Sequence, residues 1–132
     1  MATVPKTPGE TTETPAKIVN EFYETCNSGQ GQGMEAFVAD DIEFEGPAMN
    51  ISGGKKYVEI VKPLCAFHKS MRMFKQLIEG DHVVSIYEMT LGTPGGETLV
   101  ISFADWIQVV NGKIARQRLY YDPRQFVKAF GM

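Results

Sequence analysis

A chain of 132 residues, 43% apolar and 22% charged, holds enough material for one buried core and one domain. Its net charge of −3 and pI near 5.4 leave no basic stripe to neutralise phosphates, which excludes nucleic acid as the partner. No run approaches the ~18 apolar residues of a membrane span, and MATVPKTPGETTETPAK at the N-terminus lacks the apolar stretch of a secretory signal, so a cytoplasmic protein is expected.

Residues 1–14, rich in Thr, Pro, Glu and Gly, have almost nothing to bury and read as a flexible arm ahead of a single domain over 15–132. Thr14-Pro15 reads as an N-cap followed by proline at the first helical position, opening a helix over Pro15–Asn27 with Ile18, Val19, Phe22 and Cys26 on one face. The glycine-rich link 28–33 lacks a lysine and follows no strand, so it cradles no phosphate. A short helix, Met34–Ala39, precedes a strand, Ile42–Glu45, and Asn50–Gly54 reads as a loop. Tyr57, Ile60, Val61 and Leu64 stand at helical spacing in Lys55–Phe67, which Pro63 kinks or ends early. The second half is nearly all strand: Ser70–Ile78, His82–Leu91, Glu97–Val110 and Lys113–Tyr121, followed by a short helix at Arg124–Phe130. Helices first and then long antiparallel strands make an α+β layout. A sheet of strands this long curls into a cone around three helices and leaves an apolar pocket inside.

Two cysteines in a chain of this size, Cys26 and Cys65, are expected as reduced thiols packed like small hydrophobes. With His68 and His82 the only histidines, and no C-x-x-C or H-E-x-x-H spacing, neither a metal site nor a cofactor is expected.

The residue that asks for an explanation is Asp105. Taken two by two, the face Leu99, Ile101, Phe103, Asp105, Ile107, Val109 is apolar except for one carboxylate. Burying an unpaired carboxylate costs several kcal/mol, roughly, unless it finds donors or takes up a proton. The Asn111-Gly112 hairpin decides its neighbours. A two-residue type I′ turn sets Asp105 across from Arg118, an ion pair without catalytic meaning. A type I turn with a G1 bulge at Gly112 shifts the register by one, so that Asp105 shares its face with Gln117, Leu119 and Tyr121.

The segments IVNEFYETCN (18–27), FVADDIEFEGP (37–47), GGKKYVEI (53–60), GDHVVSIYE (80–88) and ADWIQVVNGKIARQRLYYDPRQF (104–126) together resemble the SnoaL-like polyketide cyclase group of the nuclear-transport-factor-2-like superfamily. The resemblance favours the bulged register and implies a cone-shaped, mainly antiparallel sheet. In the ketosteroid isomerase branch an acid on this strand donates to an oxyanion, and Asp105 matches it. That branch's general base would fall at Gly46, and its oxyanion tyrosine at or near Phe22, beside Tyr23. The positions that activate water in limonene epoxide hydrolases look like Met89, Leu91 and Leu119, so that chemistry is not expected.

The expected function is cofactor-free acid/base chemistry on a small hydrophobic carbonyl compound, as in an isomerase, cyclase or lyase. Asp105 would serve as acid/base or hydrogen-bond donor, with Tyr121 beside it. Phe22, Phe44, Tyr87, Met89, Phe103, Gln117, Leu119 and His68 would form the ligand site. The alternative is a non-catalytic ligand-binding or dimeric assembly module on the same fold. Trp106, Val100, Ala104 and Val110 make the opposite face too apolar for water, so a homodimer through the outer sheet face is expected.

Overall fold

A computed structural model describes residues 14–132; the arm expected over 1–14 lies outside the described residues, apart from Thr14. The Thr14 hydroxyl accepts the N–H of Lys17 at 3.2 Å, and Pro15 sits where a missing N–H costs nothing. Helix α1, Pro15–Gly29, buries Ile18, Val19, Phe22, Tyr23 and Cys26, a stripe two residues wide. It ends at Gln30, whose left-handed conformation (φ 53) lets the Gly31 N–H reach back to the Thr25 carbonyl.

The second helix expected from sequence is only a 3-10 turn, Met34–Phe37, because strand β1 begins at Val38 and runs to Glu45. The pairing of β1 shifts between Val38 and Glu43, so Asp40 and Asp41 stand exposed on an irregular stretch where polar side chains cost nothing. A short strand β2, Asn50–Ser52, pairs with the end of β1 where a loop is expected. Helix α2, Gly54–Leu64, carries Pro63 in its last turn and continues as a 3-10 turn, Cys65–Phe67. Gly54 lies so close to β1 that a Cβ there would stand 2.7 Å from the Ala39 carbonyl oxygen. Gly54→Ala is therefore expected to lower stability by roughly 1–3 kcal/mol in urea unfolding; an unchanged midpoint would mean that this helix start can shift freely.

Strands β3 (His68–Glu79), β4 (His82–Gly92), β5 (Thr98–Val110) and β6 (Lys113–Tyr120) form an antiparallel meander, and helix α3 is Arg124–Phe130. β1 joins this meander parallel to β6, which gives one sheet in the order β2-β1-β6-β5-β4-β3. The sheet curves over α1 and α2 without closing. α1 packs on β3, β4 and β5, while α2 packs on β1 and β2. Ile18, Val19, Met34, Ile42, Val83, Ile107 and Ile114 form the dry part of the core. Among the described residues, no helix is long and apolar enough to cross a membrane.

The hairpin resolves differently from either expected form. Asn111 and Gly112 both have positive φ (52° and 76°), and Val110 pairs with Lys113, which is a plain two-residue type I′ turn. The register shifts further along, between Val109↔Ile114 and Gln108↔Arg116, leaving Ala115 as the extra residue. The bulge expected at Gly112 is thus at Ala115. Its consequence for the face is the same: Asp105 opposes Leu119, Ile107 opposes Gln117, and Arg118 turns outward to Glu45 at 3.1 Å.

The cysteines are not separate thiols. Cys26 and Cys65 are joined as a disulfide, with 5.1 Å between their Cα atoms and a sequence separation of 39. The end of α1 and the turn after α2 pack side by side, within the Cα separation a bridge spans.

Candidate functional site

The helices and the inner face of the sheet leave a cavity of about 140 Å³, close to the size that holds a single aromatic ring. Its wall includes Phe22, Phe44, Tyr87, Met89, Phe103, Gln117, Leu119 and His68, the residues that sequence reasoning placed at a ligand, together with Tyr121. Asp105 does not reach the wall. It is completely buried one layer behind, and three wall residues hold it.

These three contacts define the polar end of the site. Tyr23 donates its O–H to Asp105 Oδ2 at 2.8 Å, from the second row of the α1 stripe. Tyr87, two residues along β4 from the Ser85 that opposes Asp105, donates to the same oxygen at 3.2 Å. Gln117 Nε2 spans both carboxylate oxygens at 3.0 and 3.2 Å. Tyr57, on α2, donates to Gln117 Oε1 at 2.5 Å. Two helices and three strands thus converge on one carboxylate, and no buried side-chain polar atom is left without a partner among the described residues. Phe22 packs on both Tyr23 and Tyr57, and the Tyr87 ring stacks on Phe103, which fixes the three hydroxyls.

Burial raises the Asp105 carboxyl to about 6, with the Gln117, Tyr23 and Tyr87 donors holding it below where desolvation alone would take it. The Tyr23, Tyr57 and Tyr87 hydroxyls are raised well above their ordinary value by burial and by the negative charge of Asp105. They stay protonated near neutrality, and with Asp105 ionised every one of their protons is committed inward. The oxygens then offer the cavity lone pairs. A proton on Asp105 releases one tyrosine O–H, which can turn toward a ligand oxygen.

His68, at the start of β3, is a second polar group of the wall. It donates through Nδ1 to Asn27 Oδ1 at 3.0 Å, and desolvation lowers it to about 4, so it is neutral near pH 7. Among the described residues, no Asp, Glu, Lys or Arg lines the cavity. Three functional residues escaped sequence reasoning. Sequence reasoning places Tyr57 and Cys26 only on helical faces and names Tyr23 only as the neighbour of Phe22. A signal for Tyr23 existed in its spacing of four from Val19 and Asn27, which puts it on the inner side of the helix.

A curved, open α+β sheet wrapped over helices around an apolar pocket defines the nuclear-transport-factor-2-like class. The SnoaL-like domain model matches residues 19–117, and the chain belongs to that family. Similar solved structures include a nuclear-transport-factor-2-like protein of unknown function from Cytophaga hutchinsonii, at 23% identity over 88% of this chain and 96% of the other, with a TM-score of 0.73. Another is a candidate SnoaL-like polyketide cyclase from Mesorhizobium loti, 22% identical over 83% of this chain and all of the other (100%), TM-score 0.65. A third is a candidate isomerase from Bacillus subtilis, 17% identical over 89% and 92%, TM-score 0.77. At these identities the likeness concerns the fold. A search of curated protein sequences finds no significant match.

Proposed function

We propose that the cavity binds a small, single-ring carbonyl compound and promotes cofactor-free proton transfer on it, as an isomerase, cyclase or lyase would. The observation that carries this reading is the chain Tyr57–Gln117–Asp105–Tyr23/Tyr87 at one end of an otherwise apolar cavity. Asp105 acts through the tyrosines: its proton is handed to Tyr23 or Tyr87, whose own O–H meets the developing negative charge on the ligand oxygen. Tyr121, half-buried on the wall and packed against Phe103, shapes the cavity and contributes a further hydroxyl. The family relationship and the candidate cyclase and isomerase neighbours support the class of chemistry.

The measurement is deuterium uptake next to the carbonyl of cyclohexanone in D₂O, followed by NMR. Catalysed exchange that falls at least about tenfold in Asp105→Asn supports the reading. Saturable binding without exchange, in both proteins, supports the second reading, a ligand-binding module. Neither binding nor exchange overturns both.

A homodimer through the outer face is part of the same proposal. Leu77, Val84 and Trp106 are neighbours across three strands on that face, next to Ile86 and Tyr120, and Trp106 is 42% exposed. Such a patch is costly to leave in water. The cytoplasmic location expected from sequence is opposed by the Cys26–Cys65 bridge, since bridges persist in oxidising compartments.

A further inference from the structure

The acid/base reading needs a group that takes the proton from carbon, and the position a relative would use for this is Gly46. Among the described residues, tyrosines and His68 are the ionisable groups on the cavity wall. His68 differs from the tyrosines in having a ring nitrogen with a lone pair, and the orientation of that ring is fixed. Asn27 donates through Nδ2 to Met71 Sδ at 3.0 Å, which directs its Oδ1 to His68 Nδ1 at 3.0 Å. An amide oxygen only accepts, so Nδ1 carries the hydrogen and Nε2 is bare. Cys26 Sγ lies 3.4 Å from Nδ1 and 3.9 Å from Nε2, but as a disulfide sulfur it has no proton to give. Asn27 stands one helical turn beyond Tyr23, about 6 Å along the axis of α1. His68 and the Asp105-backed Tyr23 and Tyr87 line the same cavity, whose volume is close to that of a single ring, so one ligand can meet both.

We propose that His68, held by Asn27 in its Nδ1–H tautomer, is the catalytic base of this pocket, accepting through Nε2 a proton from the carbon next to, or conjugated with, the ligand carbonyl. This rests on the function proposed above and names its missing partner. In the step, the C–H bond breaks and its proton goes to Nε2. The bonding pair forms a C=C bond as the carbonyl electrons move to oxygen. That oxygen takes a hydrogen bond, or the proton, from Tyr23 or Tyr87 backed by Asp105. Return of a proton from His68 to the same carbon gives exchange, and to a conjugated carbon gives isomerisation; no oxidant or reductant is consumed. A neutral imidazole that is hard to protonate is a weak base, but the oxyanion end lowers the cost of the enolate it must make. Asn27 is a positioning residue.

Two measurements test this. In long-range ¹H–¹⁵N spectra the two histidines should show opposite tautomers. His82 accepts from Trp106 through Nδ1 at 2.9 Å and must carry its proton on Nε2, while His68 should show a bare Nε2. In the cyclohexanone exchange assay, His68→Phe and His68→Gln should each lose about 10²-fold or more in rate, with ketone affinity within about threefold of wild type. Asn27→Ala should mix the His68 tautomers and lower the rate less. An Nε2–H tautomer at His68, or exchange that depends on Asp105 but survives both His68 substitutions, overturns the assignment while leaving the proposed function standing. Absence of exchange by the wild type overturns both.

Discussion

Between pH 4 and pH 7 the protein is expected to lose about 2.5 kcal/mol of unfolding free energy relative to its Asp105→Asn variant. Asp105 titrates at about 6 in the folded chain against an ordinary 3.8. Through that window the folded chain holds a proton that the unfolded chain has already released. The stabilising contribution, about 3 kcal/mol at full strength, is complete only well below pH 4, declines as pH rises through the window, and is gone by about pH 7; at about 1.4 kcal/mol per unit, the part lost between pH 4 and 7 is the figure above. Asparagine has no charge to desolvate, so its stability should lack this slope; its Oδ1 can still accept from Tyr23 and Tyr87, although its Nδ2 then meets the Gln117 Nε2 donor. Asp105→Ala should lose roughly 2–5 kcal/mol because two hydroxyls and the Gln117 amide are left without their acceptor. Urea unfolding of the three proteins from pH 4 to 8 reads these effects. A wild-type minus Asp105→Asn difference that does not change with pH would mean that Asp105 is not desolvated as the fold places it. The same comparison bears on function. A carboxyl desolvated by burial is retained at a cost near neutral pH, which fits a group kept for its proton.

What could be read of this site from sequence was its sheet half. Period-two alternation groups Phe103 with Asp105 and Gln117 with Leu119 and Tyr121, and the family resemblance favours the register that brings the two sets onto one face. The device that sets the register was not legible. A bulge at Ala115 has no residue signature of its own, whereas Asn111-Gly112 advertises a turn; the turn is ordinary, and the correction to the ladder comes three residues after it. The helical half was harder. Tyr57 and Tyr23 lie on stripes whose spacing is the same whether a stripe meets a packed core or a cavity, so periodicity could not mark them as functional. The strand at Val38–Asp41 was hidden because its irregular pairing lets two aspartates stand in solvent, which breaks the alternation a strand normally shows.

Opening the Cys26–Cys65 bridge is expected to cost about 4 kcal/mol, the loop-closure entropy of a 39-residue separation. For a domain of this size that is a fall of roughly 10–20 °C in Tm. The bridge was invisible from the sequence, because two cysteines so far apart carry no information about pairing until α1 and the turn after α2 are packed together. It also has a local task. Cys26 lines the cavity, Asn27 follows it, and His68 begins three residues after Cys65, so the one covalent link closes the end of the pocket at which His68 stands. Reduction should therefore loosen the His68–Asn27 contact before it unfolds the sheet. The check is thermal and urea unfolding with and without dithiothreitol, beside a Cys26→Ala/Cys65→Ala double variant. Matching losses in the reduced and double-variant proteins are expected, together with a mixture of His68 tautomers in ¹⁵N spectra of either. A loss below about 1 kcal/mol would show that packing alone holds α1 against the turn, and an unchanged His68 signal would assign the fixing of that ring to Asn27 without help from the bridge.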